Sequence, residues 1–215
     1  KLGLTIRIDR KPLAIFQDRP LLRRLAIDGG GAGKYDGNKF VRFSDNDGLI
    51  NNVVYSITEN NKNEIVFGTS KGISVYNGFS YKNYNEKNGL TNSWVFKLLR
   101  DNDKIWIGTQ EGAYILQNEK IRRFSFDKIL DKASVFTIFI DSKKRIWFGT
   151  INDGAICYNS SDNSFTHYNK TNGLKQNLVF SFEESSNGDI LLGTVEGIFY
   201  VDKSNIIHEF NNIPK

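Results

Sequence analysis

Three consecutive apolar residues closed by Gly-Thr occur four times along the chain: Ile65-Val66-Phe67-Gly68-Thr69, Ile105-Trp106-Ile107-Gly108-Thr109, Ile146-Trp147-Phe148-Gly149-Thr150 and Ile190-Leu191-Leu192-Gly193-Thr194. Their glycines stand 40, 41 and 44 residues apart. A short run that is apolar at successive positions, instead of alternating, predicts a strand buried on both faces. A second glycine follows each run (Gly72, Gly112, Gly154, Gly197), and then a further apolar segment leads to an aromatic pair such as Tyr81/Tyr84 or Phe165/Tyr168. Gly-Leu closes the cycle at Gly48-Leu49, Gly89-Leu90 and Gly173-Leu174, with Ala133 in the corresponding stretch of the unit that lacks it. Self-similarity at this period is the signature of a repeat architecture.

Each cycle reads as four short strands. In the unit that opens at Gly48 the pattern predicts strand A over Val53–Thr58, a polar turn at 60–63, strand B over Glu64–Thr69, strand C over Ile73–Tyr76 and strand D over Ser80–Asn85. Asn77-Gly78 is a hairpin turn between C and D. The third position of strand A is Ser56, Lys97, Thr137 or Ser181, polar in every copy, which predicts an innermost strand beside a water-filled channel. Trp106 and Trp147 are expected to pack between neighbouring sheets. The N-terminal segment joins the pattern weakly: Tyr35-Asp36-Gly37 and Phe40–Phe43 match Tyr76-Asn77-Gly78 and Tyr81–Tyr84, and Thr5–Asp9 resembles Thr137–Asp141.

The expected fold is therefore all-β, a single β-propeller domain or fragment over 1–215. Its blades are four-stranded and antiparallel, with units at about 1–47 (degenerate), 48–88, 89–132, 133–172 and 173–215. The pattern leaves open whether five units close a ring or belong to a larger one. An open fragment would expose a blade face that invites pairing.

Composition narrows the class. With 39% hydrophobic, 25% charged and 13% aromatic residues, mostly Phe and Tyr, the chain is globular and suited to strands. No apolar run is long enough to span a bilayer, so no direct membrane insertion is expected. The chain opens on Lys1, which leaves room for a leader or anchor removed before it. Of the net charge of +5, residues 1–47 carry +4, from ten Lys/Arg against six Asp/Glu. Arg19, Arg23 and Arg24 lack the interleaved aromatics of a nucleic-acid groove, and no nucleic-acid partner is expected.

Several short motifs fail on inspection. Gly29–Tyr35 resembles a phosphate loop, but Asp28 stands where its first glycine belongs and Tyr35 replaces the Ser/Thr. Asp45-Asn46-Asp47-Gly48 looks like a calcium loop, yet Phe43 and Val54 would fill the first and twelfth ligand positions. His167 and His208, the only histidines, fall on strand D without ligand spacing and read as solvent-facing. Cys157, the single cysteine, reads as a small buried hydrophobe. No metal, no cofactor and no catalytic residue is expected.

The run of Gly-Leu, polar residues, an apolar strand, an acidic or Asn-rich turn, Ile-Trp-Phe-Gly-Thr, Gly and an Asn-Gly or Asp-Gly turn resembles the two-component regulator propeller repeat over about 170 residues. The resemblance implies seven-bladed propellers in the extracytoplasmic sensor regions of hybrid histidine kinases. Those sensors respond to breakdown products of complex polysaccharides, and their dimeric ectodomains signal through an immunoglobulin-like domain. This sequence has fewer units than seven and lacks the linker domain, membrane helix and kinase.

In a propeller the D-to-A connections between blades and the B-to-C loops within them share one rim. A ligand site there would draw on Asn52, Asn92, Ser93, Trp94 and Asn177 from the first set, and Lys71, Glu111, Asn152, Asp153 and Glu196 from the second. Trp94 replaces Val53 and Leu178 at the start of strand A, where it can stack on a sugar ring or plug the channel. The function expected is a non-enzymatic periplasmic or extracellular sensor module. It would bind an oligosaccharide or other small polar ligand at the rim, as a homodimer or as part of a larger sensor chain. The alternatives are a protein-interaction scaffold and an enzyme of the streptogramin-lyase kind, for which the histidines are too few.

Overall fold

The computed structural model describes residues 12–19, 22–27, 30–35 and 39–210. The segment Thr5–Asp9, the turn residues Asp36-Gly37 and the side chains of Arg19, Arg23 and Arg24 lie outside that description.

Among the described residues twenty strands form five separate four-stranded sheets. The first holds β1 (Pro12–Arg19), β2 (Leu22–Ile27), β3 (Gly31–Tyr35) and β4 (Phe40–Phe43); the second β5 (Val54–Glu59), β6 (Ile65–Thr69), β7 (Gly72–Tyr76) and β8 (Tyr81–Tyr84). The third holds β9 (Val95–Asp101), β10 (Lys104–Thr109), β11 (Ala113–Gln117) and β12 (Lys120–Phe124); the fourth β13 (Val135–Ile140), β14 (Ile146–Thr150), β15 (Ala155–Asn159) and β16 (Ser164–Tyr168). The fifth holds β17 (Val179–Glu184), β18 (Ile190–Thr194), β19 (Gly197–Val201) and β20 (Ile207–Glu209). Each is an antiparallel meander in chain order, and in the second sheet every boundary lies within one residue of the sequence expectation.

The sheets stand in a row, the first strand of each against the first strand of the next: β1 on β5, β5 on β9, β9 on β13, β13 on β17. Between neighbours lies one apolar layer, repeated four times. Trp106, Ala113, Ile115 and Phe124 of the third sheet meet Val135, Ile138, Ile146 and Phe148 of the fourth. Trp147, Ala155, Cys157 and Tyr168 of the fourth meet Val179, Ile190, Leu192 and Phe199 of the fifth. This is why the B run is apolar at successive positions: alternate residues feed the layers on either side. The Gly of Gly-Thr lets the sheets close in, since a Cβ at Gly108 would stand 2.6 Å from the Val135 carbonyl oxygen.

The polar third position of strand A has a different role from the one expected. Ser56 is buried and its hydroxyl accepts the Leu98 backbone N–H at 3.0 Å, tying one innermost strand to the next. Thr137 is likewise buried, Lys97 half-buried and Ser181 exposed. Each of the four stands opposite the glycine of the adjoining strand, Ser56 to Gly68, Lys97 to Gly108, Thr137 to Gly149 and Ser181 to Gly193, and at Ser56 the polar group serves the joint between sheets.

Candidate functional site at the inner rim

The Thr of Gly-Thr builds the rim. Its Oγ1 donates to the carbonyl of the second glycine in every clear unit: Thr69 to Gly72, Thr109 to Gly112, Thr150 to Gly154 and Thr194 to Gly197, at 2.8–2.9 Å. The same oxygen accepts the backbone N–H of Lys71, Glu111, Asp153 or Glu196 at 2.8–3.2 Å. Four tight B-to-C loops thus hold one charged residue each at the same edge of the row. Lys71, Glu111 and Glu196 are exposed, and Asp153 is half-buried, which raises its pKa against the opposing pull of His167.

The D-to-A connections arrive at the same edge. Asn177 donates through Nδ2 to the Asn152 carbonyl at 2.8 Å, and Gln176 donates to Glu196 Oε1 at 2.9 Å, so residues from the two loop sets meet. Much of the amide content is spent on the loops themselves. Asn52 Oδ1 accepts the Asp45 N–H, Asn177 Oδ1 the Lys170 N–H, and Asn92 Oδ1 the Trp94 N–H, at 2.9 Å each. Ser93 Oγ donates to Glu86 Oε1 at 3.5 Å. Lys71 and Glu111 leave their side-chain groups without a hydrogen bond to any described residue.

Sequence reasoning missed the aromatic surface just inside this rim. Each innermost strand of the four clear units carries a bulge at its start, where one residue drops out of register between the pairs Val54–Thr69 and Ser56–Gly68, and likewise in β9, β13 and β17. The extra residue is Tyr55, Phe96, Phe136 and Phe180. In β1 the same irregularity falls at Leu13. A bulge re-aims the side chain it carries, and here the four rings meet from sheet to sheet. Tyr55 lies 5.9 Å from Phe96, Phe96 5.7 Å from Phe136, and Phe136 5.8 Å from Phe180, centroid to centroid. Trp94 joins them, 5.9 Å from Phe96 and 6.3 Å from Tyr55. Trp94 is 39% exposed, Phe136 37% and Phe180 40%. The sequence carries the signal, because the residue before Ser56, Lys97, Thr137 and Ser181 is aromatic in all four clear copies. Beside the arc, Lys97 makes no hydrogen bond or ion pair with a described residue, and burial lowers its pKa.

Other candidates do less. His167 and His208 sit on the outermost strands, half-buried and not solvent-facing filler, bonded through Nε2 to Asp127 at 3.0 Å and Asp202 at 2.9 Å. Cys157 is buried, which pushes its thiol pKa up to about 12. Asp45–Asp47 forms a short 3-10 turn capped through Ser44. A groove of about 440 Å³ lies at the opposite rim between the second and third sheets, but its two lysines, Lys62 and Lys82, are both already paired with Glu119.

Residues 129–152, which run from the D-to-A connection through the Ile-Trp-Phe-Gly-Thr strand of the fourth sheet, match the family model described as two component regulator propeller. They carry a two-component regulator propeller repeat. Solved structures share the fold of the whole row. An extracellular domain assigned to a hybrid two component system of B. thetaiotaomicron (BT3049) is 18% identical with a TM-score of 0.77, over 100% of this chain and 30% of that one. Virginiamycin B lyase from Staphylococcus aureus is 15% identical with a TM-score of 0.74, over 96% of this chain and 72% of that one. The WD40 beta propeller domain of Doa1 is 16% identical with a TM-score of 0.63, over 89% and 64%. A comparison with curated protein sequences finds no match. The five sheets are thus blades of the propeller kind, and the chain spans 30% of the length of the B. thetaiotaomicron domain.

Proposed function

We propose that this chain is the recognition part of an extracytoplasmic two-component-type sensor and binds an oligosaccharide at the inner rim. Two observations support the setting: the two-component regulator propeller repeat at residues 129–152, and a fold shared with extracellular domains assigned to two component systems. The observation that carries the ligand class is Trp94. An indole 39% exposed and seated on Tyr55 and Phe96, whose backbone carbonyl accepts the Gln110 N–H of a B-to-C loop, combines an apolar stacking face with the polar loops of that edge. Recognition by loops on a rigid scaffold fits the division between the repeated strand cores and the varied rim residues. The chain acts by binding, without chemistry of its own.

A glycan array probed with the purified chain and its Trp94→Ala variant tests this. The expected result is binding to a defined oligosaccharide class that falls at least tenfold in the variant while its circular dichroism stays unchanged. An array without signal, together with a protein that copurifies stoichiometrically, would replace the sensor reading with that of an interaction scaffold.

A further inference from the structure

The rim opposite the inner-rim site carries a second surface, and charge marks it. Grooves of about 440 and 460 Å³ open there, at the joint between the second and third sheets and at the joint between the third and fourth. Lys82 and Arg122 hold the same place in successive sheets. Each stands opposite the strand-C residue that pairs with the second residue of the B run, Val75 with Val66 and Ile115 with Trp106. In the first groove Lys82 and Lys62 are both bonded to Glu119, and carboxylates outnumber bases, with Glu64, Asp103 and Glu119 against the two lysines. One joint further the balance is inverted: Asp101 alone faces Lys104, Arg122 and Lys144. Asp101 is already engaged by Lys104 at 3.2 Å and by the Trp106 indole N–H at 3.2 Å. The C-to-D turn of the fourth sheet brings Ser160 to this groove, where that of the third brings Glu119 to the other. The side chains of Arg122 and Lys144 therefore make no hydrogen bond or ion pair with a described residue. Residues 120–145 hold eight Lys/Arg against three Asp, an excess equal to the net charge of the whole chain, so the groove lies within its most basic stretch.

An apolar strip runs between the two unpaired bases. Phe124 packs 4.9 Å from Trp106 and 5.0 Å from Tyr158, and Phe126 lies 5.1 Å from Phe124. Phe126 is 67% exposed beside rings that are buried, so it serves the core little and is placed to meet an apolar group from outside. Arg122 comes from the third sheet and Lys144 from the fourth, with this strip between them. Such an arrangement suits an occupant with separate carboxylates on either side of an apolar group, which a polypeptide segment provides and a compact anion does not. β12 is the outer edge of its sheet and presents exposed Lys120 beside Arg122, a line along which an extended segment can lie. We propose that this groove docks an acidic, extended segment of a partner protein, its apolar side chain seated against Phe126.

Titration of the ¹⁵N-labelled chain with heptapeptides, followed by NMR, tests the proposal. The peptides carry two Glu on each side of a Gly-Phe-Gly or Gly-Ser-Gly centre, and a matching set carries Gln for Glu. The Phe-centred Glu peptide is expected to shift the amides of residues 120–126 and 144, and to bind roughly three- to tenfold more tightly than either its Ser-centred or its Gln counterpart. Arg122→Gln combined with Lys144→Gln, both at exposed positions, should weaken it by a similar factor, whereas Lys82→Gln in the neighbouring groove leaves it unchanged. Equal binding of the Glu and Gln peptides, shifts confined to other strands, or no binding at all overturns the proposal. Sedimentation with phosphatidylglycerol vesicles that is lost in the double variant, without peptide binding, would replace the partner protein with an anionic membrane surface.

Discussion

Single residues explain why the repeat has the spelling it has. Trp147 Nε1 donates to Asp141 Oδ2 at 2.9 Å, Arg145 Nε reaches the same oxygen at 2.6 Å, and the Arg145 guanidinium lies 5.1 Å over the Trp147 ring. The third sheet repeats the device with Asp101, Lys104 and Trp106. The acid that ends strand A and the base that opens strand B are therefore partners of the tryptophan. Asp141 has no exposed side-chain surface, so Asp141→Ala strands a buried indole N–H and a largely covered guanidinium. Urea denaturation should show a loss of about 3–5 kcal/mol, the range for breaking a buried pair. The exposed cluster of Glu119 with Lys82 and Lys62 is a contrast: hydrogen bonds from both lysines hold the Glu119 pKa down at about 2. Because the folded value is depressed, its small contribution is fully present above the unfolded pKa of about 4.5 and fades as pH falls toward about 2. A stability difference between the native chain and Glu119→Gln should close across that window, as melting curves at successive pH values will show.

At the scale of the strand, the joint between blades depends on close backbone approach. Gly108 faces Val135, whose Cγ1 would lie 2.9 Å from an added Cβ, so Gly108→Ala must push two sheets apart and should cost about 1–3 kcal/mol in thermal or urea unfolding. How much was legible follows the same line. Apolar runs such as Ile146-Trp147-Phe148 declare a doubly covered strand because burial on both faces is a property of composition alone. Asn77-Gly78 declares its turn because Gly78 takes φ +100°. A bulge has no such local mark: the displacement at Phe96 arises from how β9 pairs with β10, so the polarity of Lys97 pointed to a channel while the place of the ring beside it stayed hidden. For the same reason the rim loops were placed correctly as loops while the bonding that occupies Asn52, Asn92 and Asn177 was hidden, since it depends on partners up to seven residues away or in another sheet.

For the whole molecule, four equivalent layers join five blades, and the outer face of the last blade lacks a neighbour among the described residues. Leu191, Ile198, Tyr200 and Phe210 hold there the positions that Trp147, Ala155, Cys157 and Tyr168 hold in the covered fourth sheet, and Ile198 and Phe210 are exposed. Adjacent residues of one strand should therefore differ sharply: Leu192→Ala, fully buried, costs about 2–5 kcal/mol, and Leu191→Ala under about 1 kcal/mol, as judged by denaturation midpoints. The row of blades also sets up the most direct test of the central claim, that the inner-rim aromatics are the recognition surface. Of the three tryptophans, Trp106 and Trp147 are buried between sheets and Trp94 alone is exposed, so quenching of fluorescence by acrylamide reports on Trp94. Adding the tightest-binding oligosaccharide at saturation should shield that tryptophan, lowering its quenching severalfold, with no effect in Trp94→Phe. Saturated binding that leaves the quenching of Trp94 unchanged would contradict the account.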